Sequence, residues 1–150
     1  ETAAQILKEL TYAKDGCQIF LTVEDLKYLR QGGRISASSA VLGNLLNIKP
    51  ILSLAGEKVE AVGKVRGDKL ARKKIIQCLD ECLVNKFHSD DLSEFYLAAA
   101  ASMSKEDALA WKMQLEDHFD VRCSMSPIPL SLGCHLGHGT YGAALIKRMK

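Results

Sequence analysis

Charge of one sign is the first thing this sequence lacks. Its 20 lysines and arginines face 18 aspartates and glutamates, a formal net charge of +2 over 150 residues. That balance gives no electrostatic case for a nucleic acid or an anionic membrane as partner. Long apolar runs are missing too, since no window approaches the roughly 18 uninterrupted apolar residues of a transmembrane helix. The opening residues Glu1, Thr2, Ala3, Ala4 and Gln5 supply neither the basic nor the apolar region of a signal peptide. They also lack a methionine, so the chain is expected to be a processed or truncated piece of something longer. A regular cysteine framework is absent as well: Cys17, Cys78, Cys82, Cys123 and Cys134 are odd in number and scattered. This argues against a secreted disulfide scaffold and for a reducing cytoplasm. No internal repeat stands out, and no serine–histidine–acid order or carboxylate pair makes a case for nucleophilic catalysis.

What is present suits one ordinary domain with one core, at 47% hydrophobic and 25% charged residues. Ala3, Ile6, Leu7 and Leu10 repeat at helical spacing. Gln18 to Val23 reads as a buried strand and Val23 to Gln31 as a charged helix. Ile51 to Leu54 and Lys58 to Val65 read as two strands, with Val59, Ala61, Gly63 and Val65 expected on one face. Gly67-Asp68 opens the most regular helix, whose stripe is Ala71, Ile75, Cys78, Leu79, Cys82 and Leu83. Glu94 to Ala101 is a strand candidate weakened by four alanines. Ser104 and Asp107 resemble a capping box for a helix through Trp111, Leu115 and Phe119. Val121 to Met125 could form a last strand, Pro127 and Pro129 a rigid connection, and Ala143 onward a short helix. The expected architecture is α/β of the mixed, α+β-like kind: a two-layer mixed sheet covered by helices on one face.

Two stretches carry the functional signal. The first runs from Tyr28 to Pro50. Gly32-Gly33 stops a helix, Arg34 follows, and a nearly uncharged helix of roughly Ser38 to Leu46 carries Val41, Leu42, Leu45 and Leu46. A cation at the mouth of an apolar element suits a molecule with an anionic head and a greasy body. The same residues also make a plain helix cap, an exposed arginine and a core helix.

The second stretch is Leu132 to Gly142. Gly137-His138-Gly139-Thr140-Tyr141-Gly142 satisfies the dinucleotide pattern G-x-G-x-x-G, yet too few residues follow for the required βαβ unit and distal acid. Cys134, His135 and His138 with Cys123 match none of the common paired zinc spacings. An anion site is a third reading, with amides converging before Ala143 and His135 donating to a carboxylate or phosphate. A partly buried His135 bonded to a neighbouring carbonyl is the plain alternative. Arg66 is by itself a solvated strand end, and a convergence of Arg34, Arg66 and His135 would surround one anion.

These residues resemble a known family. Glu24-Asp25-Leu26-Lys27-Tyr28-Leu29-Arg30-Gln31-Gly32-Gly33-Arg34-Ile35, Leu46-Asn47-Ile48-Lys49-Pro50-Ile51-Leu52, Lys64-Val65-Arg66-Gly67 and Gly133-Cys134-His135-Leu136-Gly137-His138-Gly139 are similar to motifs of DegV fatty-acid-binding proteins, in family order. The resemblance implies a DegV C-terminal domain at residues 17–150, with residues 1–16 as the helix leading in from a missing N-terminal domain.

It further implies a long-chain fatty acid as ligand, with no cofactor and no metal. Cys134-His135-Leu136-Gly137 stands where the family has Thr-His-Thr-Gly, so His135 and Gly137 inherit the headgroup, with Arg34 and Arg66 nearby. Cys134 and Leu136 depart from both threonines, and His138 stands where proline is frequent. Ile35, Leu42, Leu45, Leu46 and Ile51 are the expected tail wall, or else ordinary core. The implied role is a carrier, not an enzyme, presenting the acyl group to a separate fatty acid kinase subunit. The other class of function is part of a dihydroxyacetone-kinase-like phosphotransferase. An isolated domain could also bind nothing, and its exposed apolar interface makes a homodimer a reasonable expectation.

Overall fold

The structure, a computed structural model, describes residues 2–33, 47–55 and 58–148. Helix α1 (Ala3–Asp15) leads into strand β1 (Cys17–Thr22) and the short α2 (Lys27–Gln31). A hairpin of β2 (Ile48–Ala55) and β3 (Lys58–Arg66) precedes the long α3 (Asp68–Asn85). Then come β4 (Phe95–Ala101), α4 (Lys105–Phe119), β5 (Cys123–Pro127), α5 (Leu130–Leu136) and β6 (Tyr141–Lys147). The six strands form one mixed sheet in the order β3-β2-β1-β6-β4-β5, parallel only between β4 and β5. That parallel pair needs a crossover, which α4 supplies.

One face of the sheet carries α3 and α4. Ile75, Leu79, Leu83, Trp111 and Leu115 pack there on Phe20, Ile51, Phe95, Leu97 and Leu145. Each fully buried side chain of this size contributes roughly 1.5–3 kcal/mol, so this layer dominates stability. Ser104 caps α4 by accepting a bond from the Asp107 amide at 3.1 Å, as the Ser-x-x-Asp spacing led one to expect. The indole of buried Trp111 donates to the Gly142 carbonyl at 3.2 Å, which ties the helix layer to the middle of the sheet. Cys78, Cys82 and Cys123 are buried in this core as free thiols.

The opposite face holds a smaller cluster of Leu21, Val23, Leu26, Leu29 and Leu52 beneath α2, with Leu136 of α5 packed against it. Helix α1 stands apart. Thr2 and Gln5 form a reciprocal capping box, but none of its residues is buried, and Leu7 is 67% exposed.

Three sequence expectations are corrected here. Ala143 does not open a helix: Tyr141 to Lys147 is β6, hydrogen-bonded to β1 on one side and β4 on the other. The alanines favour a helix only weakly, and burial from both sides overrides them. Nor do Val59, Ala61, Gly63 and Val65 share a face. Ile51 pairs with Gly63 but Leu52 with Ala61, so Val62 is an extra residue in a β-bulge. Val65 therefore packs on the helix layer, and Val59 and Ala61 on the opposite cluster. Ile51, expected in a tail wall, is completely buried under α3, on the far side of the sheet from the cavity described below.

Candidate functional site

The register of the strands dictates an asymmetric floor on the α2/α5 face. One row across the sheet reads Ala98, Ala144, Ile19, Leu54 and Val59. The next reads Ala100, Gly142, Leu21, Leu52 and Ala61. Both rows are large where β1 and β2 lie under α2 and small where β6 and β4 lie under α5. The small half leaves room between sheet and helix, since a strand bearing only methyl groups cannot reach the layer above it.

The room is a cavity of about 510 Å³. That lies inside the 300–1,000 Å³ typical of ligand sites. Its floor is Ala98, Ala100, Gly142 and Ala144, and its roof is Leu29 of α2 with Leu132 and Leu136 of α5. The side chains with polar groups in its lining are Ser126, Ser131, His135 and Thr140. Thr140 is spoken for, because its hydroxyl donates to the Leu136 carbonyl at 3.0 Å. Among the described lining residues, His135, half-buried in the last turn of α5, therefore stands as the ionisable group of an apolar pocket.

The loop after His135 is held from below. The Ser102 hydroxyl donates to the Gly137 carbonyl at 2.7 Å and accepts from the Thr140 amide at 3.2 Å. Gly137 ends α5 with φ +76°, a left-handed conformation that a glycine adopts without strain. At the other end of β2, Lys49 is 6% exposed and forms an ion pair with Glu24. The Tyr141 hydroxyl donates to the Asp68 carboxylate at 2.9 Å, and burial together with that acid pushes its pKa up.

Of the expected headgroup residues, His135 lines the cavity, whereas Gly137 closes α5 two residues later and is not part of the lining. Arg66 lies exposed at the end of β3, opposite Ile48 in register, and is not part of the cavity lining. Arg34, Ile35, Leu42, Leu45 and Leu46 fall outside the described residues. The lining residues that sequence reasoning missed are the floor alanines, together with Leu29 and Leu136. Their signal was the alternation of β4: Leu97, Ala99 and Ala101 turn to the helix layer, so Ala98 and Ala100 must turn away. Among the described residues no group of three or more His, Cys, Asp or Glu could hold a metal. None of the described helices is long and apolar enough to cross a membrane.

Comparison with known proteins places these features in context. A family model described as "Uncharacterised protein, DegV family" matches residues 1–148. A DegV domain-containing protein of Listeria monocytogenes is 33% identical over 143 residues, covering 95% of this chain and 48% of the relative. The chain spans about half the length of the curated relatives it matches. Among solved structures, a fatty-acid-binding DegV family protein of Thermus thermophilus superimposes with a TM-score of 0.81 at 27% identity, over 99% of this chain and 51% of that one. A fatty-acid-binding DegV family protein of Streptococcus agalactiae gives 0.80 at 26% identity, over 99% and 50%. A stearic-acid-binding protein of Eubacterium ventriosum shares the fold, with a TM-score of 0.83 at 21% identity over 97% and 50%.

Proposed function

Because this chain belongs to the DegV family, we propose that it binds a long-chain fatty acid, with the acyl tail in the cavity over Ala98, Ala100 and Ala144 and the carboxylate at His135. The observation that carries this reading is the chemistry of the pocket: an apolar chamber of about 510 Å³ with one ionisable side chain among the described residues of its lining. Each methylene moved from water into such a chamber contributes about 0.8 kcal/mol, so a tail binds tightly with few polar contacts. A small-metabolite phosphotransferase would need more polar groups around its substrate, and that reading has no supporting observation here. Likeness to fatty-acid-binding relatives at 26–27% identity supports the same ligand class.

The proposed role is a cytoplasmic carrier without chemistry of its own. It presents the acyl carboxylate to a fatty acid kinase subunit, where phosphoryl transfer takes place. Arg34 and Arg66 are proposed to act beside the headgroup or toward that kinase. In the longer relatives a further half of the chain is available to close the headgroup end and to cover the exposed stripe of Ile6, Leu7 and Leu10. Without that half, the stripe is proposed to pair two copies, which size-exclusion chromatography would reveal.

The deciding experiment is extraction of the purified chain under denaturing conditions, mass spectrometry for fatty acids, and titration with palmitate. Bound acyl chains, and a palmitate affinity weakened about tenfold by His135→Ala, are the expected result, given that a hydrogen bond to a charged partner contributes about 1.5–3 kcal/mol. Failure of palmitate to bind at all, alone or with a longer version of the chain, would overturn the reading.

A further inference from the structure

Segment 24–32 and loop 135–139 run past each other in opposite directions and meet three times, each time at a glycine. A methyl group added at Gly139 would lie 3.1 Å from the Glu24 carboxylate. One added at Gly137 would lie 2.5 Å from the Tyr28 ring. One added at Gly32 would run into Nδ1 of His135, with Cε1 at 3.2 Å. Residues four apart on one segment thus key into residues two apart on the other, and a methyl at Gly32 or Gly137 would force the contact to shift, whereas one at Gly139 would press on the Glu24 side chain.

Gly32 differs from the other two. Its φ is −77°, a backbone angle open to any residue, so space is the reason for a glycine there. The space is taken by the imidazole of His135. Nδ1 occupies the place a Gly32 β-carbon would take, and no hydrogen bond to this ring is formed among the described residues. An Nδ1–H at that point would be a donor held against backbone carbon with no acceptor among the described residues, and orphaned donors are rarer than orphaned acceptors. The neutral ring accordingly places its proton on Nε2, the nitrogen turned away from Gly32.

We propose that Gly32 is a positioning residue that fixes the orientation and tautomer of His135, so that Nε2–H is the donor offered to an anionic headgroup in the cavity. The headgroup part of this inference rests on the fatty-acid reading above; the tautomer part does not. The Tyr28–Gly137 contact holds the same two segments one step away, which keeps Gly32 and His135 in register. A rigid support of this kind is what lets a single hydrogen bond discriminate between headgroups.

The test has two arms. Long-range ¹H–¹⁵N correlation spectra of the unaltered chain at about pH 8, above the ordinary histidine pKa of about 6.5, read the tautomer directly, with His135→Ala assigning the signal. The expected signature is a protonated Nε2 and a bare Nδ1; a protonated Nδ1 overturns the proposal. In the second arm, palmitate and hexadecanol are titrated into the chain and into Gly32→Ala. The variant is expected to weaken palmitate about tenfold and to leave hexadecanol within about twofold, since only the acid uses the charged hydrogen bond. Unchanged spectra and an unchanged acid-to-alcohol ratio in Gly32→Ala would refute the positioning role. If neither ligand binds the unaltered chain, the fatty-acid reading falls, and the tautomer arm alone decides the role of Gly32. Should Gly32→Ala fail to fold, the spectra of the unaltered chain still decide it.

Discussion

Filling the cavity from its floor should move binding and stability in opposite directions. Ala98 sits half-buried in β4 with its methyl group under α5, and replacing it by leucine adds three carbons to the chamber without touching the helix-side core. A tail that loses contact for about three methylenes loses roughly 2.4 kcal/mol at about 0.8 kcal/mol each. This is roughly a fiftyfold weaker affinity. The same three carbons leave water in the ligand-free protein, where cavity filling commonly adds about 0.5–2 kcal/mol of stability. Displacement of a fluorescent fatty acid would report the first quantity and urea denaturation the second. If Ala98→Leu lowered both, overpacking would be the cause and the cavity would be smaller than its shape implies. If palmitate bound Ala98→Leu as well as the unaltered chain, the tail would lie elsewhere.

Other outcomes follow from the rest of the fold. Burial pushes the thiols of Cys82 and Cys123 up to about 11 from 9.0, so the folded state keeps them protonated. Their contribution to stability should be flat below about pH 9 and fall between pH 9 and 11, and of the five thiols the exposed Cys134 should react fastest with a disulfide reagent; rapid labelling of Cys82 in the native state would contradict this. Gly142→Ala places a methyl 2.6 Å from the Phe20 carbonyl oxygen and should cost about 1–3 kcal/mol by prising β6 from β1, measured by thermal or chemical denaturation. Thr22 is fully buried and its hydroxyl has no partner among the described residues. Thr22→Val should therefore raise stability by about 1 kcal/mol, whereas a loss of that size would reveal a partner for the hydroxyl.

Elements whose periodicity and end signals agreed were legible in the sequence. α3 follows its stripe from Ala71 to Leu83, and α4 starts at its Ser104 cap. Where local preference and tertiary burial disagreed, the sequence misled. The alanines of β4 blurred a strand, although their alternation is what opens the cavity, and those of β6 suggested a helix inside the sheet. The bulge at Val62 changes which face follows, and single-chain alternation carries no sign of it. Of the expected headgroup residues, His135, conspicuous as a histidine within the glycine-rich run Gly133 to Gly142, lies in the cavity lining. Gly32 and Leu29 were not assigned to the site, because their relation to His135 exists only after α2 and α5 come together over the sheet.

The position of β6 bears on how the molecule assembles. The last strand along the chain is a middle strand of the sheet, flanked by β1 on one side and β4 on the other. Until residues 141–147 are in place, β3-β2-β1 and β4-β5 are two separate ribbons with open edges facing each other. Closing the gap pairs Cys17 with Ile146, almost the full length of the chain apart, and contacts that distant in sequence slow folding. During synthesis the sheet can close only after this strand leaves the ribosome, so the unpaired edges of β1 and β4 are the places where a nascent chain would most easily find the wrong partner.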